Sequence, residues 1–127
     1  MRTAINAVII QEQKLLLVRK NLTWILPGGK PENEEPDLEC LCREMREELS
    51  GTKIKDIHFY KSFEGKTPHK GDILRAKVYF AKIDGELYAV RNGDSISEVT
   101  WINDFSKYNL SDITSKIVNS LQQDRYI

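Results

Sequence analysis

Apolar positions change period several times along this chain, and each change marks an element. The run Ala4-Ile5-Asn6-Ala7-Val8-Ile9-Ile10 is short and β-branched, the pattern of a buried strand. It predicts a first strand over Thr3–Ile10, a turn at Gln11–Gln13, and a returning partner in Lys14-Leu15-Leu16-Leu17-Val18-Arg19. Trp24-Ile25-Leu26 then runs into Pro27-Gly28-Gly29, where proline and two glycines punctuate the chain. From Asp37 to Leu49 the spacing becomes helical. Leu38, Leu41, Met45 and Leu49 recur at i, i+3, i+7 and i+11, a core-facing stripe, with Pro36 or Asp37 at the start. Further strands are expected at Ile54–Phe63, Ile73–Ile83, Leu87–Val90 and Val99–Ile102. Asp84-Gly85 suits a hairpin turn, and the polar Glu64–Gly71 reads as a mobile loop. A last helix is expected from Ser111 to Gln123, with Ile113, Ile117, Val118 and Leu121 on one side. There is no internal repeat, linker or low-complexity segment. Residues 1–127 read as a single domain of the α/β or α+β class.

The first helix carries a second pattern beside its apolar one. Glu44, Glu47 and Glu48 stand at i, i+3 and i+4, so their carboxylates meet on one face. Like charges on neighbouring turns repel by a few tenths of a kcal/mol per pair, roughly. A divalent cation removes that cost, and hard cations take oxygen ligands from a few carboxylates and from substrate phosphates. Without further context a glutamate-rich amphipathic helix is a solvated face.

The context is the preceding stretch, Gly28-Gly29-Lys30-Pro31-Glu32-Asn33-Glu34-Glu35, followed by Arg43-Glu44-Met45-Arg46-Glu47-Glu48-Leu49. Together they resemble the signature of the Nudix hydrolases, with Gly29, Glu35, Arg43, Glu44, Met45, Glu47 and Glu48 at the motif positions. Two positions depart from it. Ser50 stands where a glycine is expected, with Gly51 one residue late, and Glu34 stands where many members carry glycine. Neither departure removes a carboxylate, and Gly51 remains able to cap the helix in the left-handed region. The resemblance implies an α/β/α sandwich with a mixed, partly antiparallel sheet. It implies Glu47 and Glu48 as main ligands of Mg²⁺, with Mn²⁺ as a substitute. Glu44 would orient or deprotonate the water or complete the metal shell, held by Arg43, and the Gly29 carbonyl would reach the metal. Gly28 and Glu35 would support the loop.

Outside the motif, Glu98 lies three residues before Trp101, where many small Nudix enzymes carry a glutamate. It is a candidate ligand or general base, the alternative being an exposed strand residue; Trp101 reads as core. Lys30 beside the loop, and Arg19, are candidate phosphate cations, and a solvated lysine is the other reading of Lys30. Asp112 suits a helix start with Ser111 or could read a base edge, and capping is preferred. Trp24, Tyr79 and Phe80 could stack on a base, but strand aromatics more often serve the core.

Composition narrows the partners. The 19 basic and 19 acidic residues balance, which implies no strong field for a nucleic-acid polymer or a membrane. The N-terminal apolar run lacks a cleavage site, no stretch is long enough to cross a bilayer, and a cytoplasmic location is expected. Cys40 and Cys42, two apart on a helix, cannot bridge each other there, and with only His58 and His69 a closed zinc site is not expected. Lys30 is followed by Pro31 rather than Ser or Thr, which excludes a P-loop. The expected partner is a small-molecule nucleotide, bound by a monomer or homodimer. The resemblance to the MutT-like branch implies hydrolysis of a nucleoside triphosphate to monophosphate and pyrophosphate, with nucleotide sanitation as a role. ADP-ribose or nucleotide-sugar pyrophosphatases, dinucleoside-polyphosphate hydrolases and a non-hydrolysing nucleotide-binding module are the alternatives.

Overall fold

A computed structural model of the chain describes residues 2–49, 51–67, 71–85 and 96–127. The elements run β1 (Arg2–Val8), β2 (Ile10–Gln11), β3 (Lys14–Lys20), β4 (Thr23–Ile25), β5 (Gly28–Gly29), α1 (Asp37–Glu48), β6 (Thr52–Lys66), β7 (Ile73–Gly85), β8 (Ile96–Ile102) and α2 (Asp112–Gln123). They form two sheets. One has the order β5-β1-β7-β6, with β1 parallel to β7 and the other pairs antiparallel. In the other, β3 pairs antiparallel with β2, β4 and β8. The architecture is therefore mixed, as expected.

Strand alternation sends neighbouring residues to opposite faces. Ile5, Ala7, Leu16 and Val18 join Cys40, Leu41, Met45 and Leu49 of α1 in one core cluster. Val8, Leu15, Leu17, Ala76 and Val78 join Ile117, Val118 and Leu121 of α2 in the other. Trp24 is in this second cluster, edge-on to Tyr108, and Phe80 packs at its margin while Tyr79 packs on the α1 side. The core reading of these three aromatics and of Trp101 is borne out. Among the described residues no helix is long and apolar enough to cross a membrane.

Several expectations need correction. The first apolar run is two strands, because the chain changes sheets at Ile9, whose carbonyl accepts from Leu16 N at 3.0 Å. Leu38 is 48% exposed, whereas Leu41, Met45 and Leu49 are buried as the spacing expects and Cys40 joins them. Glu64–Lys66 belong to β6, and Asp84 and Gly85 remain in β7, paired with Lys53 and Thr52. In each case cross-strand pairing extends a strand through residues of low strand propensity. The expected strand Leu87–Val90, His69 and Ser50 lie outside the described residues.

Candidate active site

The segment from β5 to α1 is held by backbone bends before any side chain acts. Glu35 N donates to the Glu32 carbonyl at 2.8 Å, and Asn33 and Glu34 have φ of 45° and 63°. The left-handed φ of Glu34 explains why glycine suits this position. Pro36 precedes α1 with an extended backbone, and Cys40 N closes the first turn on its carbonyl at 2.9 Å. At the other end Leu49 is the C-cap and Gly51 follows with φ 86°, the expected left-handed exit.

Arg43 braces this assembly. Its Nε and Nη2 each donate to the Glu35 carboxylate at 2.9 Å, and Nη1 donates to Glu44 and Glu47 at 3.1 Å each. Nη2 also reaches the Lys30 carbonyl at 3.0 Å, tying the loop to the helix. A planar guanidinium suits this task because its donors are fixed in a fork. The Arg43 contact holds the Glu35 carboxyl below its usual range. Gly29 leaves no room for a side chain: a Cβ there would run into the Glu44 carboxylate. The Gly29 carbonyl faces the Cys40 thiol, which lies 3.7 Å away.

The remaining carboxylates differ in environment. Burial raises Glu44 above the ordinary carboxylate value, against the opposing pull of Arg43. Glu48 is pushed up to about 8, mainly by burial, although Gly28 N donates to its Oε1 at 2.8 Å. A carboxylate held out of water with one backbone donor is short of positive charge.

Glu44, Glu47 and Glu48 line a cleft of about 510 Å³ together with Gly28, Gly29, Lys30 and Glu32. Among the described residues, no three acidic, histidine or cysteine side chains already converge as a closed metal cage. Glu44 and Glu47 are drawn instead to the Arg43 guanidinium. The donor set nonetheless fits a hard cation, because carboxylate oxygens gather on one wall and Glu48 lacks a full counter-charge.

Three expected residues lie elsewhere. Glu98 pairs across the sheet with Arg19, with Arg19 Nη2 and Glu98 Oε1 2.9 Å apart, and neither lines the cleft. Asp112 accepts from Lys66 N at 2.9 Å, so its carboxylate fastens α2 to β6, while Ser111 caps the helix through Thr114 N. Sequence reasoning missed Asn6 and Lys20, which line the cleft. Asn6 had a signal, being the one polar residue inside an apolar strand. Lys20, whose charge acts on Glu48, had none.

The sequence matches the family model for the NUDIX domain over residues 1–104. The chain belongs to the Nudix family. Solved structures agree on the fold of this Nudix chain. A MutT NUDIX hydrolase from Burkholderia pseudomallei is similar at 24% identity and a TM-score of 0.77, covering 93% of this chain and 95% of that one. The NUDIX domain of Shewanella oneidensis NrtR, solved with ADP ribose, is similar at 17% identity and a TM-score of 0.76, covering 98% and 88%. The E. coli ORF135 protein is similar at 22% identity and a TM-score of 0.73, covering 98% and 93%. No curated protein matches the sequence. The chain is a small Nudix member, a pyrophosphohydrolase of the class that uses divalent cations.

Proposed function

We propose that this Nudix enzyme hydrolyses a nucleoside triphosphate to the monophosphate and pyrophosphate with Mg²⁺ in the carboxylate wall. One observation carries the reading. One cleft is lined both by Glu44, Glu47 and Glu48 and, towards α2, by the aliphatic side chains of Leu74, Ile113 and Ile117. A charged phosphate end joined to an apolar end is the shape of a nucleotide rather than of inorganic polyphosphate.

Glu47 and Glu48 would hold Mg²⁺, or Mn²⁺ in its place, with the Gly29 carbonyl beside them and Glu44 left to the water. When bound, the cation supplies neutralisation of phosphate oxygens and a more acidic water. The protein supplies the rest. Lys20 and Lys30 bring positive charge to the phosphate path, and Arg43 positions Glu44 and Glu47. Glu44 is the base we favour over Glu98. It lines the cleft and its buried carboxylate is more basic than a solvated one, whereas Glu98 is turned to Arg19. Water oxygen attacks phosphorus, the bridging P–O bond breaks towards pyrophosphate, and the water proton passes to the Glu44 carboxylate.

Product analysis with Mg²⁺ tests this on one panel of nucleoside triphosphates, ADP-ribose, nucleotide sugars and a dinucleoside polyphosphate. Monophosphate and pyrophosphate in equal amounts from a triphosphate is the expected result. Cleavage of ADP-ribose or a sugar nucleotide alone would replace the substrate and keep the site. Tight nucleotide binding with no turnover of anything would make the chain a binding module.

A further inference from the structure

The end of the cleft remote from the carboxylates has polar groups that hydrolysis does not use. β1 runs from Asn6, paired with Gly28, back to Arg2, four residues or about 13 Å along an extended strand. There Arg2 pairs with Leu74, and Leu74 pairs in turn with Gly65 of β6. Helix α2 lies directly against Gly65. A Cβ at that position would come within 2.7 Å of Asp112 Oδ2 and 3.2 Å of the Ile113 Cα and Cβ. Leu74 and Ile113 therefore meet the cleft at one level, and Arg2, Lys66 and Thr67 line it with them. No aromatic side chain lines the cleft among the described residues, so a planar group here is gripped by aliphatic contact and sorted by polar groups at its edge.

Those polar groups are donors. Arg2 spends Nε and Nη2 on Asp72, at 2.9 and 2.8 Å, and Nη1 makes no contact among the described residues. Lys66 gives its backbone N–H to Asp112, whose carboxylate also feels the Lys66 charge, while Nζ makes no hydrogen bond among them. The acceptors are already engaged. Asp72 accepts from Arg2 and Thr67, and Asp112 accepts from Lys66 N and pairs with Lys116 at 3.4 Å. Thr67 and Arg2 hold Asp72 down to about 2, so it stays ionised and cancels the Arg2 charge. Asp112 stands against the Lys66 charge in the same way, and a second phosphate needs uncancelled cations, whereas a neutral carbonyl needs only N–H donors.

Resting on the triphosphatase reading, we infer that this end of the cleft selects keto bases over amino bases, with Arg2 Nη1 and Lys66 Nζ donating to the base carbonyl oxygen. Guanine offers O6 and N7 as acceptors on one edge, and uracil or thymine offers O4. Adenine and cytosine place an amino donor at the same position, facing two more donors.

Calorimetric titration of nucleoside monophosphates in Mg²⁺ tests this without turnover. GMP and UMP should bind about tenfold tighter than AMP and CMP, the low end of what a good base-edge contact discriminates. Arg2→Met and Lys66→Met should each shrink the preference to about threefold or less. AMP and CMP should bind the variants no more weakly than before, which also reports that they are folded. Equal affinities in the unaltered protein, an unchanged preference in both variants, or an equal loss for all four nucleotides would overturn the inference. Hydrolysis assayed on the same preparations separates the two readings: a keto preference without triphosphate cleavage sinks the triphosphatase alone. Cleavage with equal binding of all four bases sinks the base selection alone.

Discussion

The two ends of the cleft are built by opposite means. The acidic end is contiguous in sequence: Gly28 to Glu48 supplies the loop, the carboxylates and the guanidinium that braces them. The far end is gathered from Arg2, Lys66, Thr67, Leu74 and Ile113, which lie on separate strands, a turn and a helix. Charge placement needs tight local geometry, and a helix with a preceding loop provides it without help from distant parts. A recognition wall needs only surfaces that meet, so the fold can assemble it from residues that are unremarkable one by one.

The contrast breaks first where the carboxylates are neutralised. Glu48→Gln and Glu47→Gln keep the size of the side chain and remove its charge. Each should lower Mg²⁺-dependent kcat by at least about 100-fold, more than the loss expected for a residue that only supports ligands. Circular dichroism should show an unchanged fold, because neither side chain lies in the apolar core. Full activity in both variants would remove the metal assignment. Arg43→Met should cost less, about 10–100-fold, as supporting partners do. It should also lower the melting temperature, since Glu35, Glu44 and Glu47 lose the cation they share. Unchanged turnover would mean that the brace does not position the carboxylates.

The same contrast explains what could be read from the sequence. The motif was legible because its period and spacing are local, and the core stripes of α1 and α2 were legible for the same reason. Leu38 misled because a leucine at helical spacing does not say where the sheet ends, and Cys40 took its place in the core. The break at Ile9 was hidden because an apolar run looks alike whether it stays in one sheet or crosses to another. Lys66 was read as loop because its place comes from pairing with Ile73 and from Asp112, neither of them a sequence neighbour. Glu98 was readable as an acid but not as the partner of Arg19, since register sets that pairing.

Burial of Glu48 makes a prediction about pH. Its carboxyl is raised from the ordinary 4.5 to about 8 in the metal-free fold. The folded state therefore holds a proton that the unfolded chain has released between those values, and this group's contribution to stability falls as pH rises through that window. A cation needs the deprotonated carboxylate, so its affinity rises over the same range. The Mg²⁺-induced rise in melting temperature should be larger at pH 8.5 than at pH 6, and Glu48→Gln should flatten the difference. An equal rise at both values in the unaltered protein would show that Glu48 does not gate the cation.

The smallest effect is expected where the sequence placed a further acid and the fold put it elsewhere. Glu98 is half exposed, is paired with Arg19 at 2.9 Å, and lies outside the cleft. Exposed ion pairs of this kind contribute little to stability, because solvent screens them and two side chains must be ordered. Glu98→Gln should change kcat/KM by about threefold or less and leave the melting temperature nearly unmoved. The measurement is sharpest beside Glu44→Gln, which should lose most of its activity if Glu44 is the base. A large loss in Glu98→Gln with a small one in Glu44→Gln would exchange the two roles. The acidic end would then extend across β3 and β8, and its chemistry would no longer be contained in one loop and one helix.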